Sequence, residues 1–202
     1  FLSDIKGYKQ VTHTGGLAGI VTQVVLFPEL NLGIMVLTNQ QSGAAFSSIS
    51  NTIKDGYLGI TGQNWVKSFS EREKKGFAYA EKIKQKVNAD IAEAQQKQGK
   101  QFDFNSYFGT YHDEWFGDII LSIKNGKPWI SSVRSPKLEG ELLSYKGNTL
   151  IAKWTDRSMD ADAFLYFNLD RNGKPNGFTM EAISPLTDFS FDFQDLDLKR
   201  IK

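Results

Sequence analysis

Residues 13–40, HTGGLAGIVTQVVLFPELNLGIMVLTNQ, decide how the first part of the chain is read. The runs 20–27 and 32–39 are short, apolar and rich in β-branched side chains, and Pro28-Glu29-Leu30-Asn31 between them is turn chemistry. This pattern predicts a buried hairpin. Ahead of it, His13-Thr14-Gly15-Gly16 predicts a strand ending in a tight glycine corner, with a histidine at the rim of the sheet. Glycines there leave backbone N–H groups open to a ligand, which is the raw material of an oxyanion site. Phe1-Leu2-Ser3-Asp4-Ile5 reads as the middle of a strand and lacks an initiating methionine, so the expectation is a piece of a longer protein.

Working outward, Ser42 is placed to cap a helix carrying Phe46, Ile49, Ile53 and Tyr57 on one face and stopping near Gly59. Asn64 caps a longer one through about Gln98, with Val66, Phe69, Phe77, Ala80, Ile83, Val87, Ile91 and Ala94 at helical spacing and Gly99 as the stop. At 1.5 Å per residue such a helix reaches roughly 50 Å. Its lysines and glutamates form a solvated face. From Phe102 the period switches to two, and Asn125-Gly126, Gly147-Asn148 and Asn172-Gly173 mark three hairpins in series. With Tyr107–Tyr111 before them, and Phe189, Phe191, Phe193, Leu196 and Leu198 after, about eight antiparallel strands are expected, in an up-and-down barrel or a strongly curled sheet. The slip between Phe193 and Leu196 predicts a bulge.

The fold class expected is therefore α+β. Residues 1–62 supply closing antiparallel strands and a helix, 63–101 a helical connector, and 102–202 the barrel. At 202 residues with 40% hydrophobic side chains, the chain can bury real cores. A net charge of +1 gives no long-range field to draw nucleic acid or an anionic membrane. No apolar run is long enough to span a bilayer as a helix. The absence of Cys excludes disulfides and thiol chemistry. His112 stands beside only Asp113 and Glu114 and is read as a surface loop residue, and Asp156, Asp160 and Asp162 as turn and capping residues, so no metal or other cofactor is called. Tyr107, Tyr111, Trp115, Phe116, Trp129 and Trp154 are either core of the barrel or the lining of a cavity in it.

The run HTGGLAGIVTQVVLFPELNLGIMVLTNQ resembles the third motif and following strands of the serine β-lactamase and penicillin-binding-protein superfamily, in the branch of class C β-lactamases, related esterases and D-aminopeptidases. The resemblance implies that His13 stands where the motif has its basic residue. It also implies that Thr14 and Gly15 line the substrate edge, and that the Gly16 N–H forms half of an oxyanion hole. The stretches Tyr107–Tyr111, Trp115–Asp118, Trp154–Ser158 and Ser184–Phe191 are similar to the β domain of unknown function often appended to such hydrolases, which implies a lipocalin-like fold.

One serine here has a lysine three positions on, in Ser3-Asp4-Ile5-Lys6, but that run reads as strand and the superfamily's nucleophile is not called in it, and Tyr166-Phe167-Asn168 matches Tyr-x-Asn by letters only. The expectation is the C-terminal part of a hydrolase that opens β-lactam, amide or ester bonds through an acyl-enzyme. Its nucleophile lies in a remaining N-terminal part of the catalytic domain, and its substrate is a small molecule or peptide met in the periplasm or outside the cell. His13 is then a general base, a substrate-orienting donor, or a rim histidine bonded to backbone. The competing reading is a barrel that docks a partner, a cell-wall component or a small apolar ligand.

Overall fold

A computed structural model describes residues 1–17, 19–97 and 102–202. Among them the chain forms twelve strands and two α-helices, and the contacts divide it into two units, Phe1–Phe77 and Ala78–Lys202.

The first unit is a four-stranded antiparallel sheet in the order β1 (Leu2–Ile5), β2 (Tyr8–Leu17), β3 (Ile20–Phe27) and β4 (Leu32–Thr38). Between β3 and β4, Pro28 starts a 3-10 turn and Asn31 closes it in the left-handed region at φ 49°. Proline presets φ and asparagine tolerates positive φ, so the sequence specifies this reversal locally. α1 (Gly43–Leu58) follows, and its last turn is closed by Gly59 at φ 61°, whose N–H donates to Asp55.

One face of the sheet packs Val25, Phe27, Ile34 and Val36 against Phe46 and Leu58. The expected face of α1 is corrected here: Ile49, Ile53 and Tyr57 are exposed. The helix instead turns Phe46, Ser50 and Leu58 inward, with Ser50 Oγ donating to Gln23 Oε1 at 2.6 Å. A polar residue at the centre of β3 drew a polar partner from the helix and rotated the buried stripe. Ser42 makes no capping bond either, since its hydroxyl is committed to Glu73 at 2.7 Å.

α2 (Trp65–Lys97) begins as expected, with Asn64 Oδ1 accepting from Lys67 N at 2.9 Å. The division between the two units falls inside it, after Phe77. Of the predicted stripe Ala80, Val87 and Ile91 are buried, whereas Val66 and Phe77 are exposed. The expected ending at Gln98 and the stop at Gly99 lie outside the described residues.

In the second unit Val87 and Ile91 pack on Ile151 and Ile183 of the barrel wall. Asp90 locks this contact, accepting from the Tyr145 hydroxyl at 2.7 Å and from Lys146 Nζ at 2.6 Å. The hydrogen bonds from Lys146 and then Tyr145 hold the Asp90 carboxyl below the usual aspartate range. A depressed carboxyl contributes stability that is present above the ordinary aspartate pKa and lost as pH falls through the lower folded value.

The barrel is closed by eight strands, in the order β10 (Ala163–Leu169), β11 (Pro175–Ala182), β12 (Leu198–Arg200), β5 (Gly109–Asp113), β6 (Gly117–Lys124), β7 (Lys127–Ser132), β8 (Glu139–Ser144) and β9 (Thr149–Trp154). Asn125 at φ 53° and Gly126 at φ 76° turn the β6–β7 hairpin, as the dipeptide dictates. Gly140 permits close packing rather than a turn. A Cβ there would lie 2.1 Å from the Lys153 carbonyl oxygen, so only glycine lets β8 press against β9 this closely. The interior is filled by Tyr111, Leu121, Ile130, Leu165, Phe167 and Phe178 with their neighbours, which resolves the sequence alternatives for Tyr107, Tyr111 and Trp154 in favour of packing.

Two expectations are corrected. His112 lies in β5 rather than a loop, opposite Asp118, with Nδ1 and Oδ1 2.6 Å apart. Residues 189–195 form two 3-10 turns instead of a bulged strand, and β12 starts only at Leu198. The reason is local. Asp188 accepts from Ser190 N at 2.9 Å, and Asp192 sits at φ 55°, so side-chain turns win over the alternating pattern of phenylalanines.

Two measurements check this account. Phe178→Ala should cost about 3–5 kcal/mol in urea unfolding, as for other fully buried aromatics. Asp90→Asn should flatten the loss of stability of the barrel unit below about pH 4 relative to the wild-type chain.

Candidate functional site

The residues singled out at the start of the chain fall together on β2, but as strand rather than corner. His13, Thr14, Gly15 and Gly16 pair with Val24, Gln23, Thr22 and Val21 of β3. The chain reverses later, around Gly19 at φ 85°, where its N–H donates to Gln41 Oε1 at 3.0 Å. The sequence placed the corner at Gly15-Gly16 because glycine is a turn signal. Here these glycines leave the strand bare without bending it.

β1 accompanies β2 only part of the way. The pairing runs from Ile5 opposite Tyr8 to Leu2 opposite Val11, and ends with Thr12 N donating to Phe1 O at 3.0 Å and the Phe1 ammonium donating to Thr12 O at 2.8 Å. Past Thr12, no strand among the described residues pairs with this edge of β2.

Antiparallel geometry then fixes which amides are free. Successive residues point their N–H and C=O alternately to the two sides of a strand. Thr12 points to β1, so His13 points to β3, Thr14 to the open edge, Gly15 to β3 and Gly16 to the open edge. The far side of the ladder agrees, for the Val21 carbonyl opposite Gly16 accepts from Thr38 Oγ1 of β4 at 2.9 Å. The Gly16 N–H is therefore aimed at solvent along an uncovered edge. All four motif residues are exposed.

The same alternation sorts the side chains. Thr14 shares the face of Gln23 and Val25, toward α1, and His13 shares the opposite face with Val11 and Val24. The His13 ring stacks on Phe1, centroids 6.0 Å apart and planes 25° off parallel. At about 3.4 Å per strand residue, the Cα atoms of His13 and Gly16 lie roughly 10 Å apart. Gly15 is crowded and Gly16 is not: a Cβ on Gly15 would meet Thr22 Oγ1 at 3.0 Å, whereas one on Gly16 would meet Val21 Cγ1 at 3.8 Å.

Sequence reasoning passed over Gln23. Its signal was a lone amide inside the apolar run 20–27, and it stands opposite Thr14 with its amide oxygen bonded by Ser50.

Elsewhere the candidates separate. Tyr166 lies on the barrel, its hydroxyl donating to Glu181 at 2.9 Å, and burial followed by that carboxylate pushes it up to about 12. Phe167 beside it is core. Asp156 caps Ser158, and Asp162 is clasped by Arg157 at 2.6 and 2.7 Å, so these aspartates hold turns. No group of three His, Cys, Asp or Glu side chains suited to a metal occurs among the described residues. No helix among them is long and apolar enough to cross a membrane.

Native-state hydrogen exchange tests the edge geometry. The amides of Thr14 and Gly16 should exchange about tenfold or more faster than those of His13 and Gly15. Equal protection of all four would show the edge to be covered.

Comparison with known proteins bears on the second unit. No curated protein matches the chain. A family model described as "Domain of unknown function (DUF3471)" matches residues 93–200, from the last turns of α2 to the end of β12. That span takes in every strand of the barrel and more than half of the chain, which therefore belongs to the DUF3471 family.

Proposed function

We propose that the four-stranded sheet and α1 are one wall of the active site of a β-lactamase-related serine hydrolase, which opens β-lactam, amide or ester bonds through an acyl-enzyme. The observation that carries this reading is the free edge of β2, where the Thr14 and Gly16 amides face outward beside a histidine. An extended acyl group laid along that edge pairs with Thr14 as an added strand does. The reacting carbonyl then sits near the Gly16 N–H, which stabilises the oxyanion as a tetrahedral centre forms. The absence of a side chain at Gly16 lets the carbonyl approach.

His13 has a narrower role than general base in this reading. It lies roughly 10 Å along the strand from Gly16 at about 3.4 Å per residue, and its ring leaves the sheet on the face away from Thr14. Proton transfer needs hydrogen-bond reach, so His13 orients the substrate's far end, and the proton of the attacking serine passes to another group. The serine comes from polypeptide outside this sequence, since its one Ser-x-x-Lys spacing, Ser3 to Lys6, lies on β1 and the turn after it, with Lys6 Nζ donating to the Leu58 carbonyl at 3.0 Å and Ser3 Oγ accepting from Gln10. A periplasmic or extracellular setting accompanies this proposal.

A second observation supports it. The sheet face away from α1 shows Leu17, Leu26, Met35 and Leu37 exposed, and α1 shows Ile49 and Ile53. Strands that are apolar on both faces belong to a sheet covered on both. A catalytic domain with further elements beyond these residues accounts for that surface.

Two experiments test the proposal. The chain by itself should not turn over nitrocefin or p-nitrophenyl acetate above background. A rate that survives repurification and falls in His13→Ala would mean that the nucleophile lies within these 202 residues. In an NMR titration with a short extended acyl-peptide at millimolar concentration, the Thr14 and Gly16 amides should shift and those of His13 and Gly15 should not. Movement of the ladder amides alone, or of none, sinks the edge as a substrate wall.

A further inference from the structure

The barrel is unlike at its two ends. Every neighbouring strand pair is antiparallel, so the connections 114–116, 133–138, 155–162 and 183–197 all emerge at one end, and the tight turns 125–126, 145–148 and 170–174 at the other. The connections at the first end carry eight Asp and Glu against three Lys and Arg, and of those acids Asp160 and Asp197 are also paired from outside the connections, by Lys84 and Lys199. The three turns carry Lys146, Arg171 and Lys174 against Asp170.

The loop end also displays the two most exposed aromatic side chains among the barrel's described residues, Trp115 at 72% and Phe189 at 81%. Val133 and Leu186 are exposed there as well.

The loop that carries Trp115 is fixed by the structure behind it. Asp113, itself buried, accepts from the amides of Trp115 and Phe116 at 2.8 Å each and from Asp197 at 2.9 Å, so one carboxylate ties the 114–116 loop to the end of the 183–197 loop. Burial alone would push this carboxyl up, but the three amide donors outweigh it and leave it below the usual aspartate range. Arg134 Nη1 adds a bond to the Trp115 carbonyl at 2.6 Å. In each loop a neighbouring aromatic turns inward onto the barrel core, Phe116 in one and Phe191 and Phe193 in the other.

An exposed indole on a fixed backbone adds nothing to the stability of the chain that carries it. In an interface it is an anchor that loses little freedom on binding.

We propose that the loop end of the barrel is a docking surface for a basic, partly apolar peptide segment of another protein, anchored by Trp115 and Phe189. Charge selects the occupant. The excess of carboxylates steers Lys and Arg side chains inward and repels polyanions, and the aromatic faces attract the same cations. The inference stands apart from the hydrolase reading, which uses residues of the first unit only.

The test is a random-peptide display selection against the whole chain, followed by titration of the best synthetic peptide. The enriched sequences should carry Lys or Arg beside an apolar residue. Their Kd should rise tenfold or more in Trp115→Ala, and severalfold in the double variant Asp192→Asn/Asp195→Asn or when salt is raised. An unchanged thermal midpoint in each variant separates lost contacts from lost folding. The proposal is overturned by an absence of enriched sequence, by selection of acidic or uncharged peptides, or by binding that Trp115→Ala leaves intact. A parallel glycan array that returns a Trp115-dependent sugar ligand also overturns it.

Discussion

Backbone N–H and C=O groups must find partners, and the two units of this protein meet that demand in opposite ways. The barrel closes on itself, so each of its eight strands has a neighbour on both sides and no edge remains. The four-stranded sheet does not close. Its β2 edge is covered by β1 only as far as Thr12, and the next outward amides belong to Thr14 and Gly16. Unpaired strand edges are confined to the open sheet, whereas the closed barrel offers only side chains and loops to its surroundings.

The filled interior of the barrel enforces that division. Tyr111, Phe167 and Phe178 meet edge-on or tilted at its centre, with centroids between 4.9 and 5.9 Å apart. Burial pushes the Tyr111 hydroxyl up to about 12, and it donates to the Tyr107 carbonyl at 2.8 Å, so even the polar atom is consumed within the core. Lipocalin-like barrels that carry ligands keep this space open. Here it holds side chains, which leaves the outer surface and the loops as the parts of the barrel open to contact.

Much of this was legible in the residues. Strand–turn–strand in the hairpin of β3 and β4, the Asn64 cap, the Gly59 stop and the Asn125-Gly126 turn all rest on interactions within a few positions, which composition reports directly. The same locality explains the failures. His112 lay beside two acids and read as loop, but its partner Asp118 comes from the next strand. The phenylalanines 189, 191 and 193 alternated like a strand, yet Asp188 and Asp192 folded them into turns. On α1, Ile49 and Ile53 formed a clear apolar stripe that the structure leaves exposed, because Ser50 is drawn to Gln23.

The sequence by itself determined the α+β class and the succession of sheet, helices and barrel, because period and turn chemistry are properties of neighbours, but it set a corner at Gly15-Gly16 where the structure carries β2 on to Leu17. Only the tertiary structure decided which amides of that strand are free, that a single buried carboxylate fixes Trp115 to the far end of the chain, and that the barrel is full. Those depend on where β1 stops, on what closes against Asp113, and on which side chains meet across the barrel. Each is a contact between residues whose separation along the chain carries no record of their distance in space.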